Sequence, residues 1–114
     1  MEPSHTEVEM RPLRSIYADD EVIADIIPAF VHNMPRYISD LRASVARGDW
    51  QGGARICHDL KGTAGGYGFP QIGQVAQNIE QELKGSCQLA VIEHHLADVT
   101  KLCQLAELGL GLSH

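Results

Sequence analysis

The sequence predicts an all-α protein, an antiparallel four-helix bundle with an N-terminal arm or short extra helix. Three observations carry that expectation. Apolar residues recur every three or four positions in four successive segments, the repeat of one helix face. The connections between the segments are short and hold glycine, proline or a capping acid. No segment alternates with a period of two over a strand's length. At 114 residues the chain has one domain's length and can bury a core without metal or disulfides.

Residues 1–12 contain Pro3 and Pro12 and lack an apolar period, so they read as an arm. Leu13, Ile16 and Tyr17 fit one helical turn that can dock on the body. Asp19 or Asp20 can cap the first long helix, and Glu21 suits its first turn. Ile23, Ile27, Phe30, Met34, Tyr37, Leu41 and Val45 then form its stripe. Pro28 and Pro35 interrupt the backbone ladder, which predicts kinks or a break into two coaxial pieces. Gly48 ends this helix and Asp49 caps the next, just before Trp50. The second stripe is Gly53, Ile56, Cys57, Leu60, Ala64 and Tyr67, with Gly68 as the stop. Pro70 suits the first turn of a third helix, striped by Ile72, Val75, Ala76, Ile79 and Leu83. Gly85 and Ser86 read as stop and cap. Leu89, Ile92, Leu96, Val99, Cys103 and Ala106 make the last stripe. The bundle is thus expected over residues 13–108, with 109–114 as a frayed tail.

Composition excludes several functions. The net charge is −6 with histidine neutral, so the chain has no global attraction to nucleic acid or anionic lipid. The longest apolar stretch, Ile26 to Val31, contains Pro28 and falls far short of the ~20 residues of a membrane span. The stretch from Met1 to Pro12 lacks the pattern of a secretory signal. Cys57, Cys87 and Cys103 are odd in number and lack CxxC spacing, as expected of reduced thiols in a cytoplasmic protein. Neither G-x-x-x-x-G-K-[ST] nor G-x-G-x-x-G occurs, so no autonomous kinase is expected. His94 and His95 are adjacent and point ~100° apart on a helix. His5, His32 and His114 lack partners at ligand spacing, and facing helices lack Glu-x-x-His pairs. No metal site is predicted.

His58 stands against the pattern. It lies two positions from both Ile56 and Leu60, a rotation of ~200° away from the core stripe. The same rotation brings Lys61, Gly62 and Gly65 to its side. A glycine inside a helix costs ~1 kcal/mol against alanine, so these glycines point to close approach of a partner or a neighbouring helix. If the hairpin between the second and third helices turns at Phe69, Glu80 is level with His58 and Gln77 with Lys61. Gly73, Gln77, Glu80 and Lys84 form a stripe beside the apolar one. A carboxylate accepting from imidazole Nδ1–H fixes the tautomer and leaves the Nε2 lone pair outward, an oriented nucleophile. Lys61 supplies positive charge where an anion would sit. The set suits a phosphoryl group better than a metal.

The run His58-Asp59-Leu60-Lys61-Gly62-Thr63-Ala64-Gly65-Gly66-Tyr67-Gly68 resembles the signature of histidine-containing phosphotransfer (HPt) domains. The likeness extends from about Leu13 to Leu105, through Asp49-Trp50 and Ile79-Glu80. It implies a four-helix bundle of the HPt type that acts as a phosphorelay intermediate. His58 would accept a phosphoryl group from a receiver-domain aspartate or a kinase and pass it to another receiver. The resemblance assigns phosphate-proximal charge to Lys61, steric clearance to Gly62 and Gly68, and an orienting role to Glu80, with Gln77 a further candidate. Expected partners are response-regulator receiver domains and a sensor or hybrid histidine kinase. The chain would bring no cofactor; Mg²⁺ would sit in the receiver, since phosphoryl transfer needs charge neutralisation. Leu13, Ile16 and Tyr17 are the expected docking rim, and the carrier is expected to be a monomer. A free-standing carrier and the carboxy-terminal module of a hybrid kinase are both compatible with the sequence. A helical adaptor that binds signalling proteins without accepting phosphate is the alternative.

Overall fold

A computed structural model describes residues 12–111, and those residues form four helices and no strand. They are α1 (Ile27–Ala46), α2 (Trp50–Gly66), α3 (Pro70–Lys84) and α4 (Leu89–Gly111). Short connections make successive helices antiparallel neighbours, and α1 closes the bundle against α4. The α2–α3 hairpin has the most extensive contact. No described helix is long and apolar enough to cross a membrane.

The core gathers most of the four stripes and adds Val31, Ile38, Ala54 and Phe69, which the stripes did not include. Met34, Leu41, Leu60, Ile72, Ile79, Ile92, Leu96 and Val99 are essentially fully buried. Each such side chain contributes on the order of 1.5–3 kcal/mol when removed from water. Phe30 stacks on Tyr67 at 4.9 Å and on Phe69 at 5.8 Å, tying α1 to the α2–α3 turn. Leu89 is the exception among the stripe residues: it opens α4 and remains exposed.

The start of α1 differs from the sequence expectation. Asp20 accepts from the backbone N–H groups of Val22 and Ile23 at 2.8 and 2.9 Å, but it opens a run of turns over residues 21–26 instead of a helix. Regular helix begins only at Ile27. Pro28 therefore lies in the first turn, where its missing N–H has no partner to lose. Pro35 does stand inside α1, yet the helix runs unbroken to Ala46 and the ring lies on the exposed side.

Asp49 caps α2 as expected, its Oδ1 accepting from Gly52 N–H at 2.9 Å. Between α3 and α4 the left-handed residue is Cys87, with φ 53°, whereas Gly85 has φ −118°. There the Glu82 carboxylate accepts from Gln88 N–H at 2.9 Å, just before α4 begins.

The segment before α1 straps the C-terminal parts of α2 and α4 together at one end of the bundle. Leu13 N–H donates to the Leu105 carbonyl at 2.9 Å, and Ile16 N–H donates to the Gly68 carbonyl at 2.9 Å. Ser15 Oγ donates to the Tyr67 carbonyl at 2.5 Å. The turn falls at residues 16–19, so Leu13 is not part of it. The strap also corrects the expected fraying at residue 109. Gly109 is buried, a Cβ there would strike the Leu13 carbonyl, and α4 continues to Gly111. The expected arm through residue 11 and the tail at 112–114 lie outside the described residues.

Candidate functional site

On α2 the residues flanking His58 separate by burial as the helical period requires. Cys57 and Leu60 face the core, while the His58 side chain is 70% exposed. Glu80 reaches it from α3: Oε2 lies 3.5 Å from His58 Nδ1, and the Glu80 side chain is only 9% exposed. That separation exceeds the usual ~2.7–3.2 Å of an N–H···O bond, so the carboxylate faces the imidazole without gripping it. The same oxygen accepts from Lys84 Nζ at 2.8 Å. That hydrogen bond holds the Glu80 carboxyl below the ordinary glutamate range. Desolvation opposes it, and the charges of Lys84, His58 and Lys61 add to it. Glu80 is therefore an ionised acid at neutral pH.

Gly73 makes this register possible. It is buried, and a Cβ there would come within 3.3 Å of the Lys61 carbonyl. The missing side chain lets α3 lie close against α2, which brings Glu80 beneath His58. Gly73 and Lys84 both belong to the stripe seen in the sequence, but neither stood out as a site residue. The i,i+4 spacing of Glu80 and Lys84 was the available signal for the ion pair. Gln77 is half-buried on α3 between them, and Lys61 is exposed on α2.

The glycines divide into two groups. Cβ atoms at Gly62, Gly65 and Gly66 would meet nothing within 4 Å, so this side of α2 is open to an incoming group. Gly68 is different and corrects the clearance expected of it. It is buried with φ +85°, and a Cβ there would collide with Ser15 and Tyr17. Its missing side chain makes room for the chain's own strap.

A shallow groove runs beside His58, lined by Ile23, Ile26, Tyr37, Gly62, Gly66 and Tyr67 among others. Leu13, Ile16 and Tyr17 do not line it. Leu13 lies against the end of α4, and Tyr17 packs on the core by Gly68. Ile16 is exposed with its backbone tied to Gly68. The aliphatic residues at the groove come from the turns before α1, with Ile26 and the neighbouring Val22 exposed. Ile26 lies off the Ile23–Ile27–Phe30 stripe, which was the sequence signal for an outward apolar side chain.

Cys57 adjoins His58 in sequence but points into the core. Burial, then the charge of Glu80, pushes its thiol up to about 12, and burial pushes Cys103 up to about 11. Both remain protonated and unreactive at neutral pH. Among the described residues no group of three or more His, Cys, Asp or Glu side chains is placed to hold a metal ion.

Comparison with known proteins matches residues 25–109 to the family model described as the Hpt domain. No curated protein and no solved structure matches the chain.

Proposed function

Because this chain belongs to the Hpt-domain family, whose members are histidine phosphotransfer modules of phosphorelays, we propose that His58 is its phosphoacceptor. It takes the group from a receiver-domain aspartate, or from a sensor or hybrid kinase, and delivers it to another receiver. The observation that carries this reading is the pairing of an exposed imidazole with a buried carboxylate on its Nδ1 side, beside helix surface left open by Gly62 and Gly65.

In uptake, the Nε2 lone pair attacks phosphorus. The P–O bond of the aspartyl phosphate breaks, and its electron pair stays on the aspartate carboxylate. The ring takes on positive charge, which Glu80 faces at Nδ1. The exposed ammonium of Lys61 offsets the charge of the transferring group. Delivery is the same step reversed. The receiver contributes Mg²⁺ and the acidic pocket; this chain contributes the nucleophile, its orientation and the clearance. Ile23, Ile26 and Tyr37 supply an apolar rim for a transient contact, of a size below ~1,200 Å². The carrier acts as a cytoplasmic monomer.

The test is to incubate the protein with a phosphorylated receiver, or with a kinase and ATP, and to map the acid-labile phosphate. Label is expected on His58 and is expected to vanish in His58→Gln. Label on His94 or His95 would overturn the assignment, and receiver binding without any label would favour the adaptor.

A further inference from the structure

Glu80 Oε2 has two suitors. Lys84 Nζ holds it at 2.8 Å, while His58 Nδ1 stands off at 3.5 Å. We propose that Lys84 is a rival of His58 for this oxygen, a positioning residue that keeps the phosphoacceptor only partly engaged by its orienting carboxylate. The inference rests on the reading of His58 as acceptor and concerns how its tautomer is set.

The argument starts from burial. The Glu80 side chain is only 9% exposed, so protein donors compete with water at its Oε2 on favourable terms. Lys84 Nζ bonds to Oε2 from its own helix, and His58 Nδ1 on α2 is the other nitrogen close to it. The ammonium makes the shorter, charge-assisted contact, and it is also the largest influence holding the Glu80 carboxyl low. Lys61 acts on Glu80 by charge alone. With Lys84 removed, His58 Nδ1–H becomes the donor left to pair with Oε2, and the carboxylate turns to it. The ring is then fixed as the Nδ1–H tautomer, the form with a free Nε2 lone pair. Lys84 thus sets how much of His58 stands ready. A supporting role predicts the opposite: a buried carboxylate without Lys84 would lose its aim, and the Nδ1–H tautomer would decline.

The experiment reads the tautomer directly. Imidazole ¹⁵N shifts of His58 are recorded at ~pH 9, above the ordinary imidazole range and below that of lysine. Wild type, Lys84→Met, Lys84→Arg, Glu80→Gln and the double variant are compared, with circular dichroism as the check on fold. In Lys84→Met the ratio of Nδ1–H to Nε2–H tautomer should rise roughly threefold or more, the scale of one charge-assisted hydrogen bond partly exposed to water. Lys84→Arg should restore the wild-type ratio. Adding Lys84→Met to Glu80→Gln should change nothing, because the contested charge is gone. An unchanged or lowered ratio in Lys84→Met, or a rise that persists in the Glu80→Gln background, would overturn the rivalry. Labelling of wild type by phosphoramidate separates this from the function itself. There the P–N bond breaks, ammonia leaves with its electron pair, and Nε2–P forms at His58. Failure of that labelling would count against the acceptor, whereas the tautomer ratios test Lys84 alone.

Discussion

His58 on α2 and His94 on α4 are both exposed helical histidines with a carboxylate within 4 Å. Their side chains are 70% and 74% exposed, and the separations are 3.5 Å to Glu80 and 3.7 Å to Asp98. Three differences separate them. Glu80 faces Nδ1, which leaves Nε2 outward, whereas Asp98 faces Nε2 itself. Glu80 comes from a neighbouring helix and is buried, while Asp98 lies one turn along the same helix and is 39% exposed. Beside His58 the glycines leave open helix surface. Proximity of histidine and acid is therefore a weak sign of a site. The nitrogen addressed, the fixity of the acid and the room around the ring distinguish the two. Long ion pairs on a surface are worth little in themselves, and the His94–Asp98 pair is of that kind.

The largest effect that sharpens this contrast is steric. Gly62→Gln should block transfer from a phosphorylated receiver. Circular dichroism should show the helical fold kept or slightly strengthened, since glycine is a poor helix former and open space surrounds Gly62. Normal transfer in Gly62→Gln would show that the receiver lands elsewhere.

Next comes the carboxylate. Glu80→Ala should slow phosphoryl uptake by roughly 10²-fold, the low end for loss of an acid–base partner, because the receiver supplies most of the electrostatics. Glu80→Gln should be milder. Asp98→Ala should leave uptake unchanged. Equal rates in Glu80→Ala and Asp98→Ala would erase the distinction between the two histidines.

The smallest effect is on stability against pH. The Glu80 carboxyl titrates below its ordinary range in the folded protein, chiefly through the Lys84 hydrogen bond. Its ionised form therefore contributes stability that is complete above the ordinary glutamate value. That stability is lost as pH falls through the lower folded-state value. Glu80→Gln should flatten this part of the acid side of a plot of Tm against pH. An acid limb identical to wild type would mean that Lys84 does not hold the carboxylate in solution.

Much of this architecture was legible in the residues. A helix buries one side, so the spacing of apolar residues marked the second, third and fourth helices and set His58 opposite Ile56 and Leu60. Counting outward from Phe69 placed Glu80 level with His58, because a short turn leaves antiparallel helices little freedom of register. The open space at Gly62 and Gly65 followed from the same rotation.

What the residues left undecided depends on contacts between segments distant in sequence. Pro28 was expected to kink or break a helix, but the long turn before Ile27 puts it in the first turn instead. Gly68 and Gly109 read as a site residue and a frayed end, but each is vacant because the strap of Leu13 to Tyr17 crosses it. Leu13, Ile16 and Tyr17, expected as the rim, do not line the groove beside His58, which Ile23, Ile26 and Tyr37 line instead, because the strap's backbone is tied to Gly68 and Leu105. The Glu80–Lys84 spacing says only that the two can meet. Burial of Glu80 between α2 and α3, which no one-dimensional pattern encodes, decides that they do so in competition with His58. Periodicity is a local property, and the sequence by itself determined the helices and the outward face of His58. Occlusion is a property of the packed chain, and only the tertiary structure decided which glycines stay open and which donor holds the carboxylate.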